Sequence, residues 1–205
     1  MKQNFLIAAA ALAFSICGNA PAQEQPAGSK LLTRGYRGFV DGNLVFGKLE
    51  ADGQNFSRTN FGFTTAHGFQ FNPHIFLGAG FGLSFNEGSD DILWPGSDVT
   101  VDAFDAFMPI FAAFRYDILD KKVSPFLECR LGGYASLCAG EYCSLGGMYM
   151  NINFGVRIKR LNISCGYEAM PGTFSFDDED YGNMDIDVKQ NSFVFRVGVD
   201  VGKRR

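Results

Sequence analysis

The chain is poor in histidine and tryptophan and carries no excess of basic charge. Its 205 residues include two histidines, His67 and His74, and one tryptophan, Trp94. Two histidines leave little room for His-based catalysis or a His-rich metal site. No G-x-S-x-G or comparable nucleophile context occurs, so no catalytic residues are expected and the sequence points away from an enzyme. Nothing in it asks for a metal or a cofactor. A net charge of −4 argues against a nucleic-acid partner, which a basic surface would attract. Beyond the first segment no stretch approaches the roughly 18 apolar residues of a transmembrane helix.

What is abundant is phenylalanine (22) and glycine (25), in a chain that is 46% apolar and 20% charged. That balance is too apolar for disorder. The N-terminus reads as an address. Lys2 supplies a positive charge, Phe5 to Ile16 an uncharged apolar run, and Ala20-Pro21-Ala22 a small-x-small cleavage site before Gln23. Residues 1–22 are therefore expected to be a cleaved secretory signal peptide, leaving 23–205 as one domain. Cys17 does not suit a lipid anchor, because Ile16 stands where a small residue is needed.

The remaining chain alternates with period 2, the signature of half-buried strands. Eight segments stand out: 36–46, 59–71, 75–85, 104–117, 125–137, 148–158, 161–168 and 190–201. In the last, Phe193, Phe195, Val197, Val199 and Val201 share one face, and Ser192, Val194, Arg196, Gly198 and Asp200 the other. Several segments match the ~9–11 residues of a tilted membrane strand. The connections read alternately long and short, with 47–58, 86–103 and 169–189 long and Asn72-Pro73-His74 and Lys159-Arg160 tight. Such alternation predicts an all-β, eight-stranded antiparallel up-and-down transmembrane β-barrel. Its short turns would be periplasmic, its long loops outer, and lipid would meet the bulky face. A soluble barrel of lipocalin type would place the bulky face inside instead.

Two stretches, Thr65-Ala66-His67-Gly68-Phe69-Gln70-Phe71-Asn72-Pro73 with Phe76 to Gly82, and Pro109 to Tyr116, carry a resemblance. They resemble the small outer-membrane barrels of the OmpX and OmpA-transmembrane-domain type, in the form common among Bacteroides-like bacteria. The resemblance implies an outer-membrane location in a Gram-negative cell, an eight-stranded barrel and delivery by the outer-membrane assembly machinery. It implies no catalytic residues. Such barrels usually end in an aromatic residue, whereas this chain runs past Val201 into Gly202-Lys203-Arg204-Arg205, with Phe193 and Phe195 the nearest aromatics. Pro109 falls inside a strand of a barrel with no edge, which predicts a bulge there.

The polar face carries Arg37, Arg115, Arg130, Arg157 and Arg196, with Asp41, Asp105, Asp117, Glu128, Glu168 and Asp200. An eight-stranded barrel is just wide enough for side chains, so these charges are expected to pair and plug the lumen. One antiparallel register between first and last strands would set Arg37 beside Asp200 and Asp41 beside Arg196. Glu87, Asp90, Asp91, Asp98 and Asp102 crowd the second long connection. Asp177, Asp178, Glu179, Asp180, Asp185 and Asp187 crowd the last. Their spacing matches no EF-hand, so a solvated acidic surface is expected, with Trp94, Phe174, Phe176 and Tyr181 among the acids. Cys138 and Cys143 flank a third outer loop and are placed to close its tip as a disulfide, whereas Cys129 and Cys165 are expected to point to lipid and stay free.

The expected function is therefore structural or interactive: a plugged outer-membrane barrel that presents acidic loops to an extracellular partner. Three alternatives stand beside it: a small gated pore, an outer-membrane lipid-modifying enzyme and a soluble periplasmic lipocalin-like ligand-binding barrel.

Overall fold

The computed structural model describes residues 35–51, 53–86, 92–93, 100–101, 106–137, 143–178 and 182–202. Ten strands run β1 (Gly35–Ala51), β2 (Gln54–Gln70), β3 (Ile75–Asn86), β4 (Ile92–Leu93), β5 (Thr100–Val101), β6 (Ala106–Asp117), β7 (Val123–Ser136), β8 (Cys143–Ile158), β9 (Leu161–Asp178) and β10 (Gly182–Val201). Eight of them close into an antiparallel barrel in the order β1-β10-β9-β8-β7-β6-β3-β2, while β4 and β5 form a separate two-stranded ribbon. Closure leaves the eight-stranded ladder without a free edge strand.

Alternation along each strand sorts the side chains. Leu44, Phe63, Leu77, Ile110, Phe114, Leu131, Ile152, Phe154 and Phe193 stand exposed on the outside. The opposite face of the same strands is buried in the lumen. A continuous apolar belt of this kind on a monomer calls for an apolar surrounding, because soluble proteins rarely expose such patches. The faces are the reverse of those of a soluble ligand-binding barrel.

Four sequence expectations need correction. First, the strands reach far into segments that read as loops. Pairing of β1 with β2 continues to Ala51↔Gln54, so the first connection is a tight hairpin, not the long loop expected over 47–58. Gly53, at φ +72°, takes the left-handed turn position that glycine occupies at no steric cost. Likewise β9 and β10 pair up to Asp178↔Gly182, which turns most of 169–189 into ribbon. Asp177, Asp178, Asp185 and Asp187 thus lie on strands. Composition misled here because a polar segment joins a ladder when a neighbouring strand offers the backbone partners.

Second, Pro109 makes no bulge. On β3 and β6, Phe81 pairs with Ile110 and Ser84 with Phe107, three residues further along on each strand. The ladder is simply interrupted opposite Gly82 and Leu83, with its register unchanged. Pro109 keeps its place opposite Tyr134 on the other side. Pro171 behaves alike, with Gly147↔Gly172 and Met150↔Ala169 on either side of the interruption. A missing donor costs one ladder bond but need not insert a residue.

Third, the register of β1 with β10 is two residues from the expected one: Asp200 opposes Phe39, and Asp41 opposes Gly198. Fourth, the face read as the polar one also carries bulky apolar side chains. Phe39, Phe76, Phe107, Phe111, Tyr134, Tyr149 and Met170 also fill the lumen and form one buried cluster.

Candidate functional site

Among the described residues, the lumen gathers the buried charged side chains. Arg37, Asp41, Arg115, Asp117, Glu128, Arg130, Arg157, Glu168, Arg196 and Asp200 are all buried there. Each sits at an inward position of its strand, which is why alternation alone could select them. Asp105 lies outside the described residues.

At the short-turn end the network centres on Asp117 of β6. Its carboxylate accepts from Arg37 at 2.7 Å, Arg157 at 2.9 Å and Arg115 at 3.1 Å. Arg37 also reaches Asp200 at 2.8 Å, so that expected pair forms despite the shifted register. Asn162 bridges, accepting from Arg115 and donating to Asp200.

Nearer the middle, Glu128 takes the second role. It accepts from Arg130 at 2.6 Å and Arg196 at 2.9 Å, with Arg115 further off at 3.8 Å. The expected pair of Asp41 with Arg196 does not form. Asp41 turns across the lumen to Arg130 at 2.6 Å, and Arg196 donates to Asn43 and Asn151 as well as Glu128. Gly198 makes that turn feasible. A Cβ there would lie 1.9 Å from the Asp41 carboxylate oxygen and 2.7 Å from the Val40 carbonyl. Glu168 stands apart from the arginine pairs and accepts from Tyr149 and Asn151.

Aromatic faces complete the arginines' surroundings. The Arg115 guanidinium lies 4.6 Å from the Phe39 ring centroid and 3.5 Å from that of Phe126, and Arg130 lies 4.9 Å from Phe111. Removing ions from water costs several kcal/mol each, and only close partners on several sides offset it. The inward rings and the multiply bonded carboxylates supply those partners. Sequence reasoning missed the rings, and it missed Arg58, which is buried on β2 in a segment read as loop. Its even number matches inward-facing Asn60 and Thr64, and that parity was the available signal.

The other singled-out residues fall elsewhere. His67 faces outward and hydrogen-bonds Tyr36 and Thr65; His74, at the β2–β3 turn, bonds the Asp117 carbonyl. Cys129 and Cys165 are free thiols, on β7 and β9 with β8 between them. Cys138 lies outside the described residues, as does the side chain of Cys143, so the expected disulfide does too. Glu87, Asp90, Asp91, Trp94, Asp98, Asp102, Glu179, Asp180 and Tyr181 also lie outside them. Among the described residues no group of three His, Cys, Asp or Glu is disposed to hold a metal ion.

No protein-family model and no curated protein sequence matches the chain. Solved structures do. The outer membrane protein OprG from Pseudomonas aeruginosa aligns with a TM-score of 0.50 at 10% identity, over 82% of this chain and 97% of that one. Neisserial surface protein A aligns at 0.47 and 14% identity, over 79% and 96%. Ail, the attachment invasion locus protein of Yersinia pestis, aligns at 0.42 and 11% identity, over 80% and 97%. At such identity the likeness to OprG is one of fold: this chain has the closed eight-stranded architecture of a small outer-membrane barrel.

Proposed function

We propose that this chain is a plugged outer-membrane barrel with a structural or cell-surface interaction role. Residues 1–22 act as the signal peptide, and 23–205 form the barrel, which the outer-membrane assembly machinery inserts. Its short turns face the periplasm, and its longer hairpins and acidic connections face outward, where they meet an extracellular partner. Lipid covers the exterior. No catalytic step and no cofactor belong to this reading.

The observation that carries it is the pairing of two opposite surfaces on one closed sheet. The exterior is a belt of exposed Leu, Ile and Phe, and the interior is packed with buried ion pairs and aromatic rings. A barrel wet outside would invert that order, and a conducting pore would need an open path along the axis. Ion pairs that reach across the lumen argue against one at their level.

The test is twofold. Membrane-fraction protein should shift in gel mobility when boiled in SDS, the mark of a detergent-resistant barrel, and in planar bilayers it should show no stable single-channel steps. Absence of the shift, with the protein in the soluble periplasmic fraction, would overturn the membrane reading. Regular conductance steps would replace the plug by the gated pore.

A further inference from the structure

Four basic side chains at the short-turn end take no part in the lumen network. Lys121 and Lys122 sit between β6 and β7, and Lys159 and Arg160 between β8 and β9; all four are exposed. None of the ion pairs among the described residues includes them. Asp120 is the one acidic residue on these two turns.

The two turns make a single patch. Lys159 donates its backbone N–H to the Lys122 carbonyl at 2.7 Å. Val123 pairs with Ile158, which sets Lys122 and Lys159 side by side. Arg157 donates to the Lys121 carbonyl at 2.9 Å and to Asp117 at 2.9 Å, so the patch is tied to the rigid floor of the lumen. Exposed Ile118, Leu119, Val123, Ile158 and Leu161 border it. Basic groups directly beside an apolar belt mark a boundary between hydrocarbon and water.

A second observation concerns the backbone. Lys159 has φ +58°, the single positive value at a non-glycine residue among those described. Two-residue hairpin turns take Asn, Asp or Gly at such positions. A lysine there is strained, and strain of this kind clusters where a side chain serves a purpose.

We infer that Lys121, Lys122, Lys159 and Arg160 bind the phosphate headgroups of anionic phospholipids in the membrane leaflet at the short-turn end. The charge is complementary, and the patch continues the lipid-facing belt, so headgroups lie against it. Lysine offers phosphate a point charge and arginine a two-pronged donor. The inference rests on the membrane reading above.

The test uses the folded barrel in detergent, with its heat-dependent mobility shift checked first. Without that shift, the membrane reading itself fails and takes this inference with it. Short-chain phosphatidylglycerol and phosphatidylcholine are then titrated separately, and bound lipids are counted by native mass spectrometry. Phosphatidylglycerol should bind the more tightly. The pair Lys122→Gln with Lys159→Asn should weaken it about fivefold per charge removed and leave phosphatidylcholine unchanged. Lys159→Asn alone should also raise the denaturant midpoint, since asparagine suits the left-handed position. Weaker lipid binding by a more stable barrel is not misfolding. Lys48→Gln with Lys189→Gln removes the same charge at the opposite end, from residues that are also exposed, and should change nothing. Equal affinity of the native barrel for the two lipids would overturn the inference, as would an undiminished preference in the turn variant or an equal loss in the opposite-end variant.

Discussion

Asp41 on β1 and Arg130 on β7 meet at 2.6 Å across the lumen, although four strand-to-strand steps separate β1 from β7 in either direction round the ring. They therefore join opposite walls. Arg196 on β10 reaches Glu128 on β7 at 2.9 Å, three steps away. These contacts are tie-rods across the interior.

Asp41 has no other ion-pair partner among the described residues, whereas Arg130 also holds Glu128. Arg130→Met should thus strand a buried carboxylate and cost about 3–5 kcal/mol. Adding Asp41→Leu removes the stranded charge and should bring the barrel back to within about 1 kcal/mol of the native protein. Urea unfolding in lipid vesicles, read by gel mobility, measures both variants against the native protein. A double variant as unstable as the single one would mean that the pair contributes net stability.

Asp117 serves three arginines, Arg37, Arg115 and Arg157. Asp117→Asn keeps the volume and removes the charge. It should destabilise the barrel by about 3–5 kcal/mol, more than Asp200→Asn, which weakens a single ion pair, that with Arg37. The order of the two midpoints in the same unfolding assay is the readout.

A methyl group discriminates two glycines that the sequence does not. Gly198→Ala would drive its Cβ into the Asp41 carboxylate, while a Cβ at Gly42 meets nothing closer than the Val197 carbonyl at 3.8 Å. The first substitution should cost about 1–3 kcal/mol, as overpacking does. The second should stay within about 0.5 kcal/mol of the native protein, as ordinary surface changes do.

The exterior makes its own test. Ile152 is 56% exposed near the middle of β8. Ile152→Arg should cost about 2–4 kcal/mol in a bilayer, where a charge at the midplane is poorly solvated. Lys159 or Arg160, replaced likewise by another charged residue, should cost almost nothing by comparison. Equal, small effects at both places would mean that water, not lipid, surrounds β8.

Much of this protein was legible in its residues one at a time. Which side of the sheet Arg37, Arg115, Glu128 or Arg157 would occupy follows from strand alternation, and so does the outward face of Leu77 or Phe193. That relation is local, since successive side chains on an extended chain point opposite ways. The count of eight barrel strands followed from the same pattern. What only the tertiary structure decided is every relation between distant strands. Asp41 chose Arg130 over Arg196, the register of β1 and β10 moved by two residues, and polar segments beyond Gly47 and Ala169 became ribbon. Pro109 cost a ladder bond without a bulge. The reason is shared: a residue's face depends on its own backbone, but its partner depends on how eight strands tilt and close around one axis, and alternation within a strand carries no information about that closure.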